Sequence, residues 1–187
     1  MHTVMLMFLA AALAAAAEQR PPGEAPVTSP HGTFKVMQET WSDDVWHTTL
    51  VFVKSDLPSI VLAEDYPLPA RFFFSPDDQW LLQIQEFQDR AFHNLAFLYR
   101  IDRSGRIWRM EDPLSAAAFK YLEESENLST EHLFHTGAEF EAWDFPAGLL
   151  RFSIHFRCGQ YCESTKEVKR SVSYNLQNHT FRAATKP

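Results

Sequence analysis

Glycine is scarce in this chain, with six in 187 residues. Little room is left for a phosphate-cradling loop, and neither G-x-G-x-x-G nor a Walker sequence occurs. No G-x-S-x-G elbow is present, so Ser–His–Asp hydrolysis has no motif behind it. Triads assemble in space, however, so a missing motif does not by itself exclude catalysis. Basic charge is also short. Seventeen Lys and Arg face 24 Asp and Glu, for a formal net charge of −7. That balance argues against a nucleic-acid backbone as partner and against adsorption to anionic lipid. The basic run KEVKR at 166–170 is short and interrupted. No cofactor signature is found. Beyond the first seventeen residues no apolar segment approaches the ~20 residues of a membrane-spanning helix.

Cysteine is limited to Cys158 and Cys162, in RCGQYCE. In an exported protein the default is a disulfide. In a straight strand the two would lie roughly 13 Å apart, whereas a bridge needs Cα atoms within about 7 Å. A bridge therefore requires a turn, which Gly159 permits, and so small a loop stabilises by only roughly 2 kcal/mol. The alternative, a redox pair, has C-x3-C spacing rather than C-x-x-C and no helix signature after it.

The opening stretch, MHTVMLMFLAAALAAAA, has no Asp, Glu, Lys or Arg and ends in small residues ahead of Glu18. This is the pattern of a cleaved secretory signal over residues 1–17. Its positive charge is confined to His2 and the terminal amine, so a retained anchor is the alternative. Cleavage near Ala17 leaves about 170 residues, enough for one domain with a real core. A secreted or periplasmic protein, without membrane contact after cleavage, is expected. Residues 18–28, EQRPPGEAPVT, read as a Pro-rich linker. Residues 29–182 read as a single β-rich domain, and 183–187 as a tail.

Within the domain the patterning has period two. TFKVMQE alternates Phe34 and Val36 against Lys35. WHTTLVFVK is apolar on both faces, as an inner strand is. WLLQIQEF sets Trp80, Leu82 and Ile84 on one face, and HNLAFLYRI sets Leu95, Phe97, Tyr99 and Ile101 together. LRFSIHF alternates Leu150, Phe152, Ile154 and Phe156 against Arg151, Ser153, His155 and Arg157, and VKRSVSY groups Val168, Val172 and Tyr174. IDRSGRI has Gly105 where a short hairpin needs positive φ. WSDDVW, with a four-residue loop, predicts Trp41 opposite Trp46 as a cross-strand pair. One helix interrupts near 112–124, with Asp112 as N-cap, Pro113 at the first helical position, and Leu114, Ala117, Ala118, Tyr121 and Leu122 on its buried face. It is expected on the sheet or across its edge. Residues 125–138 read as loop with a short strand or turn.

Ser75-Pro76-Asp77-Asp78 suits a type I turn, with Asp78 at the fourth position where Gly is favoured. SPHGTFKV at 29–36 has the same form, and SPDDQWLL at 75–82 repeats it 46 residues later. FPAGLLRF at 145–152 looks like a worn third copy, its later register fitting the inserted helix. Repetition at this period marks propeller-type blades. FFFSPDDQWLLQIQ followed by LAFLYRIDRSGRIWRM resembles a blade of the WD-type and periplasmic Tol-type β-propellers. The resemblance covers about 40 residues closely and two flanking copies loosely. It implies that the Ser-Pro turn joins the outer strand of one blade to the inner strand of the next, and it implies binding more readily than catalysis. Closed propellers use about four to eight blades, so three copies are too few to close. The fold expected is mainly β: antiparallel blade-like sheets, as an open propeller fragment or a β-sandwich, with one helix.

Asp77 and Asp78 read as turn residues rather than as an acid–base pair, because paired catalytic carboxylates face each other across a pocket. The same holds for Asp43-Asp44 and Glu123-Glu124. His132 and His135, in HLFH, could share a metal on a helix, but the H-E-x-x-H glutamate is missing and no third ligand is evident, so no metal is expected. Trp41, Trp46 and Trp143 sit near loops, where an exposed ring could stack on a sugar or a protein. With Asp43 and Asp44 they form the candidate binding set. The function expected is a non-catalytic binding domain of the bacterial envelope, with a protein or glycan partner. The alternatives are a small hydrolase or carbohydrate-active enzyme using loop carboxylates (Asp43, Asp44, Asp77 or Asp78), and a structural envelope component.

Overall fold

The strand signals resolve into three four-stranded sheets. The computed structural model describes residues 26–41, 45–87, 94–102, 104–126, 133–145, 147–158 and 167–183. The first sheet holds β1 (Val27–Thr28), β2 (Phe34–Trp41), β3 (Val45–Phe52) and β4 (Ile60–Tyr66). The middle sheet holds β5 (Ala70–Phe74), β6 (Trp80–Glu86), β7 (Asn94–Ile101) and β8 (Ile107–Arg109). After helix α1 (Leu114–Glu126) the third sheet holds β9 (Leu133–Asp144), β10 (Leu149–Cys158), β11 (Glu167–Asn175) and β12 (Thr180–Ala183). Each sheet runs antiparallel in chain order, first strand to fourth. Val27 and Thr28, assigned to the linker on composition, pair with Val36 and Lys35. The stretch read as loop and short strand at 125–138 instead carries the end of α1 and the start of the long β9.

Two further expectations need correction. The Ser-Pro turns do not pass from one sheet to the next. Residues 29–32 join β1 to β2, 75–78 join β5 to β6, and 145–148 join β9 to β10, each inside its own sheet. The reason is local. Backbone bonds from Ser29 N to Phe34 O at 3.0 Å and from Ser75 N to Trp80 O at 2.9 Å continue the antiparallel ladder across the turn. A turn closed this way makes its flanking strands neighbours. The second correction is the tryptophan pair. Trp41 pairs with Val45, and Thr40 with Trp46. Phe34 must lie opposite Phe52, and Val36 opposite Leu50, to bury all four. Pairing Trp41 with Trp46 would slip that register by one and turn the buried row outward.

The sheets stack face to face. Phe34, Val36, Leu50 and Phe52 of the first sheet meet Phe72, Phe74, Leu81 and Ile101 of the middle sheet in one core. Trp80, Leu82, Ile84 and Leu98, on the opposite face of the middle sheet, meet α1 and Leu150, Phe152, Ile154 and Tyr174 of the third sheet in a second. The middle sheet is thus covered on both faces, which is why β6 is buried from Trp80 to Gln85 without alternation. The outer face of the third sheet is polar, with Glu139, Glu141, Arg151 and Lys169 exposed.

α1 fills a gap in the middle sheet's edge. β8 pairs only with the last residues of β7, at Tyr99 to Ile101. The earlier part of β7 is met by the helix, where Ser115 Oγ accepts the Ala96 N–H at 3.0 Å, and by β9, where Ala138 N–H donates to Asn94 Oδ1 at 2.6 Å. Leu114, Ala118 and Leu122 of the predicted face are buried with Ser115, while Ala117 and Tyr121 are half-buried. Among the described residues no helix is long and apolar enough to cross a membrane.

Candidate functional site

The three first-to-second-strand turns each place their fourth residue in the left-handed region: Gly32 at φ 65°, Asp78 at 59° and Gly148 at 66°. In the first two turns the amide of that residue donates to the serine carbonyl, at 2.8 and 3.0 Å. Ser75 Oγ donates to Asp77 Oδ1 at 2.6 Å and accepts from Trp80 N at 2.9 Å. Ser29 Oγ accepts from Thr33 N and Phe34 N, both at 3.1 Å. The first turn has His31 where the second has Asp77, so no in-turn carboxylate takes the Ser29 proton. The Ser29 hydroxyl donates across the sheets instead, to Asp78 Oδ2 at 2.8 Å.

Asp78 therefore ties the first turn to the second. Its Oδ1 accepts the His31 N–H at 3.3 Å and lies 3.4 Å from His31 Nδ1. The residue is 5% exposed. Burial by itself would raise its pKa, but hydrogen bonds from Ser29, His31 and Thr33 outweigh burial and hold the carboxyl below its ordinary value. Asp77 is bound within its own turn through Ser75 and the Gln79 N–H, the latter at 3.1 Å.

Two clefts open on either side of the second turn. One, about 460 Å³, lies between the first and second turns and is lined by His31, Asp77, Asp78, Gln79, Ile101 and Asp102, among others. Asp102 accepts from the Ser104 hydroxyl and the Ser104 and Arg106 amides, at 2.7, 2.8 and 2.9 Å, and these bonds hold its carboxyl below the usual range. The other, about 380 Å³, lies toward the third sheet and is lined by Asp77, Trp80, Arg100, Phe145, Gln177 and His179, among others. The clefts share Asp77 and Gln79. No known family, curated protein or solved structure matches the chain.

The second cleft mixes charge and aromatic surface. The Arg100 guanidinium lies 5.8 Å over the Trp80 ring. In register beside Arg100 on β8 stands Trp108, 49% exposed. Phe145, in the serine position of the third turn, is 37% exposed. His179 Nδ1 meets the Tyr174 hydroxyl at 2.8 Å.

The residues singled out from sequence are scattered. Trp46 is 7% exposed, on the inner face of the first sheet. Trp143 is half-buried in β9, 6.0 Å from Phe140, and its buried indole nitrogen has no hydrogen-bond partner among the described residues. Trp41 ends β2, while Asp43 and Asp44 lie outside the described residues. Ser75, Pro76, Asp77 and Asp78 form the second turn. Cys158 ends β10, and Cys162 lies outside the described residues, so the disulfide does too. His135 stands in strand β9 rather than on a helix, and His132 lies outside the described residues. No group of three or more His, Cys, Asp or Glu suited to a metal occurs among the described residues.

A Ser–His–acid contact does occur, on the outer face of the third sheet. Ser153 Oγ lies 3.2 Å and Glu139 Oε2 3.3 Å from the same atom, His155 Nε2. A catalytic relay needs the carboxylate on the opposite ring nitrogen, and Ser153 is fully buried. Sequence reasoning passed over Arg100, Trp108 and Phe145. Signals for them exist: Trp108 stands between arginines in RSGRIWRM, and Phe145 replaces the serine of the turn motif.

Proposed function

We propose that this chain is an exported, non-catalytic binding domain whose ligand-facing surface is the turn end of the stack. One observation carries the reading: two clefts meet at Asp77 and Gln79, drawing their walls from all three sheets. A concave surface of apolar rings with a few convergent polar groups is the common form of a ligand site. The three sheets are read as blades of an open, propeller-type stack, supported by their common strand order and by the shared left-handed residue of their turns. Export rests on the composition of residues 1–17. Of the carboxylates that a hydrolase reading would use, Asp78 has both oxygens bonded between the turns and Asp77 is tied through Oδ1 within its own.

The test is a steric block. Gln79 is exposed and common to both clefts, so Gln79→Trp fills their junction. Glycan and peptide arrays probed with the purified protein are expected to give ligands that the variant loses, with its thermal midpoint unchanged. Ligands retained by Gln79→Trp would place binding elsewhere and overturn the reading.

A further inference from the structure

Resting on that reading, the second cleft narrows the ligand class. Arg100 has no hydrogen bond or ion pair with a carboxylate among the described residues; its guanidinium lies over the Trp80 ring. A guanidinium seated against an aromatic ring and not paired with a carboxylate keeps its forked N–H donors for an anionic ligand. It does so on a chain of net charge −7. Across the cleft stands the opposite sign. Asp77 Oδ1 is taken by Ser75 and the Gln79 amide, while Oδ2 accepts nothing among the described residues. Gln177 adds a side-chain amide whose oxygen and nitrogen meet no described partner, and His179 turns only Nδ1 to Tyr174. Phe145 supplies an exposed apolar ring.

A ligand that fits must carry an anion at one end and hydroxyl donors at the other, around an apolar ring face. An acidic peptide answers the arginine but sets carboxylates against Asp77. A neutral sugar answers Asp77, Gln177 and Phe145 but leaves the arginine unmatched. We infer that the cleft between the second and third turns binds a carboxylated sugar, a uronate unit of a polysaccharide. Arg100 takes the carboxylate, Asp77, Gln177 and His179 meet the hydroxyls, and Phe145 covers the ring face.

The experiment is calorimetric titration of the purified protein with tri-galacturonate, its methyl ester, neutral trigalactose and a glutamate-rich peptide. The acid sugar is expected to bind, with the ester weaker by at least about tenfold. Arg100→Gln should abolish the preference for acid over ester, and Phe145→Ala should weaken the acid sugar by about tenfold. Glu139→Gln, on the outer face of the third sheet, should change neither. Equal affinity for acid and ester, no affinity for the acid sugar, or an Arg100→Gln variant that keeps the preference would overturn the assignment. Peptide or neutral sugar bound in preference, and lost in Gln79→Trp, would overturn the uronate while leaving the binding-domain reading intact. Binding of the acid sugar that survives Gln79→Trp would overturn both.

Discussion

At φ 59° Asp78 carries a backbone strain of roughly 1 kcal/mol that glycine would not. Its carboxylate offsets that strain by accepting the Ser29 hydroxyl and the His31 amide from the neighbouring sheet. Hydrogen bonds to a buried charged group contribute about 1.5–3 kcal/mol. Asp78→Ala loses the bonds and keeps the strain; Asp78→Gly loses only the bonds. The glycine variant is therefore expected to be the more stable of the two by about 1 kcal/mol in urea melts, and both to fall below the parent. The pH dependence has a definite sign. Because the folded carboxyl sits below its ordinary value of 3.8, the unfolded chain takes up a proton first as pH falls. The stabilisation is complete above 3.8 and is lost as pH drops through the folded value. The gap between parent and Asp78→Asn should be wide at pH 7 and narrow below 3.8. The left-handed position of Asp78 was legible, since the fourth place of such a turn favours Gly. Its partner was not, because Ser29 lies 49 residues away and no local pattern encodes the contact.

Single elements also depend on contacts that no periodicity shows. α1 was legible from its apolar stripe, although it starts at Leu114 with Pro113 O accepting the Ala117 N–H, so Pro113 rather than Asp112 stands at the cap position, and Ser115 sat outside the predicted face. Burial of its hydroxyl makes sense only once the uncovered edge of β7 is seen. Ser115→Ala would leave the Ala96 N–H buried without an acceptor, at a cost of about 1–3 kcal/mol. Amide exchange should show it directly, with Ala96 losing more protection than Leu98. The β7–β8 hairpin makes a similar long-range demand. Gly105 stands at φ 83°, as the hairpin reading required. A Cβ there would also lie 2.7 Å from Leu57 Cδ1 and 3.4 Å from Phe52, both from the first-sheet half of the chain. Gly105→Ala is expected to cost more than the ~1 kcal/mol of backbone strain alone. Adding Leu57→Ala should remove only the steric part, so that Gly105→Ala costs about 1 kcal/mol in that background and the double mutant is less destabilised than the sum of the two single changes. Strand positions were readable from alternation. The Trp41–Trp46 register was not, because the loop between them suggested one pairing and the buried row at Phe34 and Val36 enforced another.

For the molecule as a whole, the stacking of three sheets follows from how apolar residues are distributed. The middle sheet has two apolar faces and needs two neighbours, whereas the third sheet has one apolar face and one charged face. Alternation did not pick out the two-faced strands: WHTTLVFVK read as apolar on both faces, yet β3 buries only alternate residues, whereas β6, read with one apolar face, is buried from Trp80 to Gln85. The same distribution bears on ring closure. A second copy could extend the stack to six sheets only by seating the outer face of one copy's third sheet on the outer face of its partner's first sheet. The former carries Lys169 Nζ at 2.7 Å from Glu139 Oε2, His155 beside the same carboxylate, and Ser171 donating to Glu141 at 2.6 Å. The latter offers Met37, Thr49, Val51 and Val61, with Lys35, Glu39 and His47 among them. Removing the Glu139–Lys169 pair from water against such a face costs more than its attraction returns, since burial of an ion pair rarely repays its desolvation. The protein is therefore expected to sediment as a monomer through the micromolar range. Glu139→Leu with Lys169→Leu removes that obstacle and leaves an apolar patch, so the double variant should associate where the parent does not. A parent that dimerises at micromolar concentration, or a double variant that stays monomeric, would show that these charges do not hold the stack open.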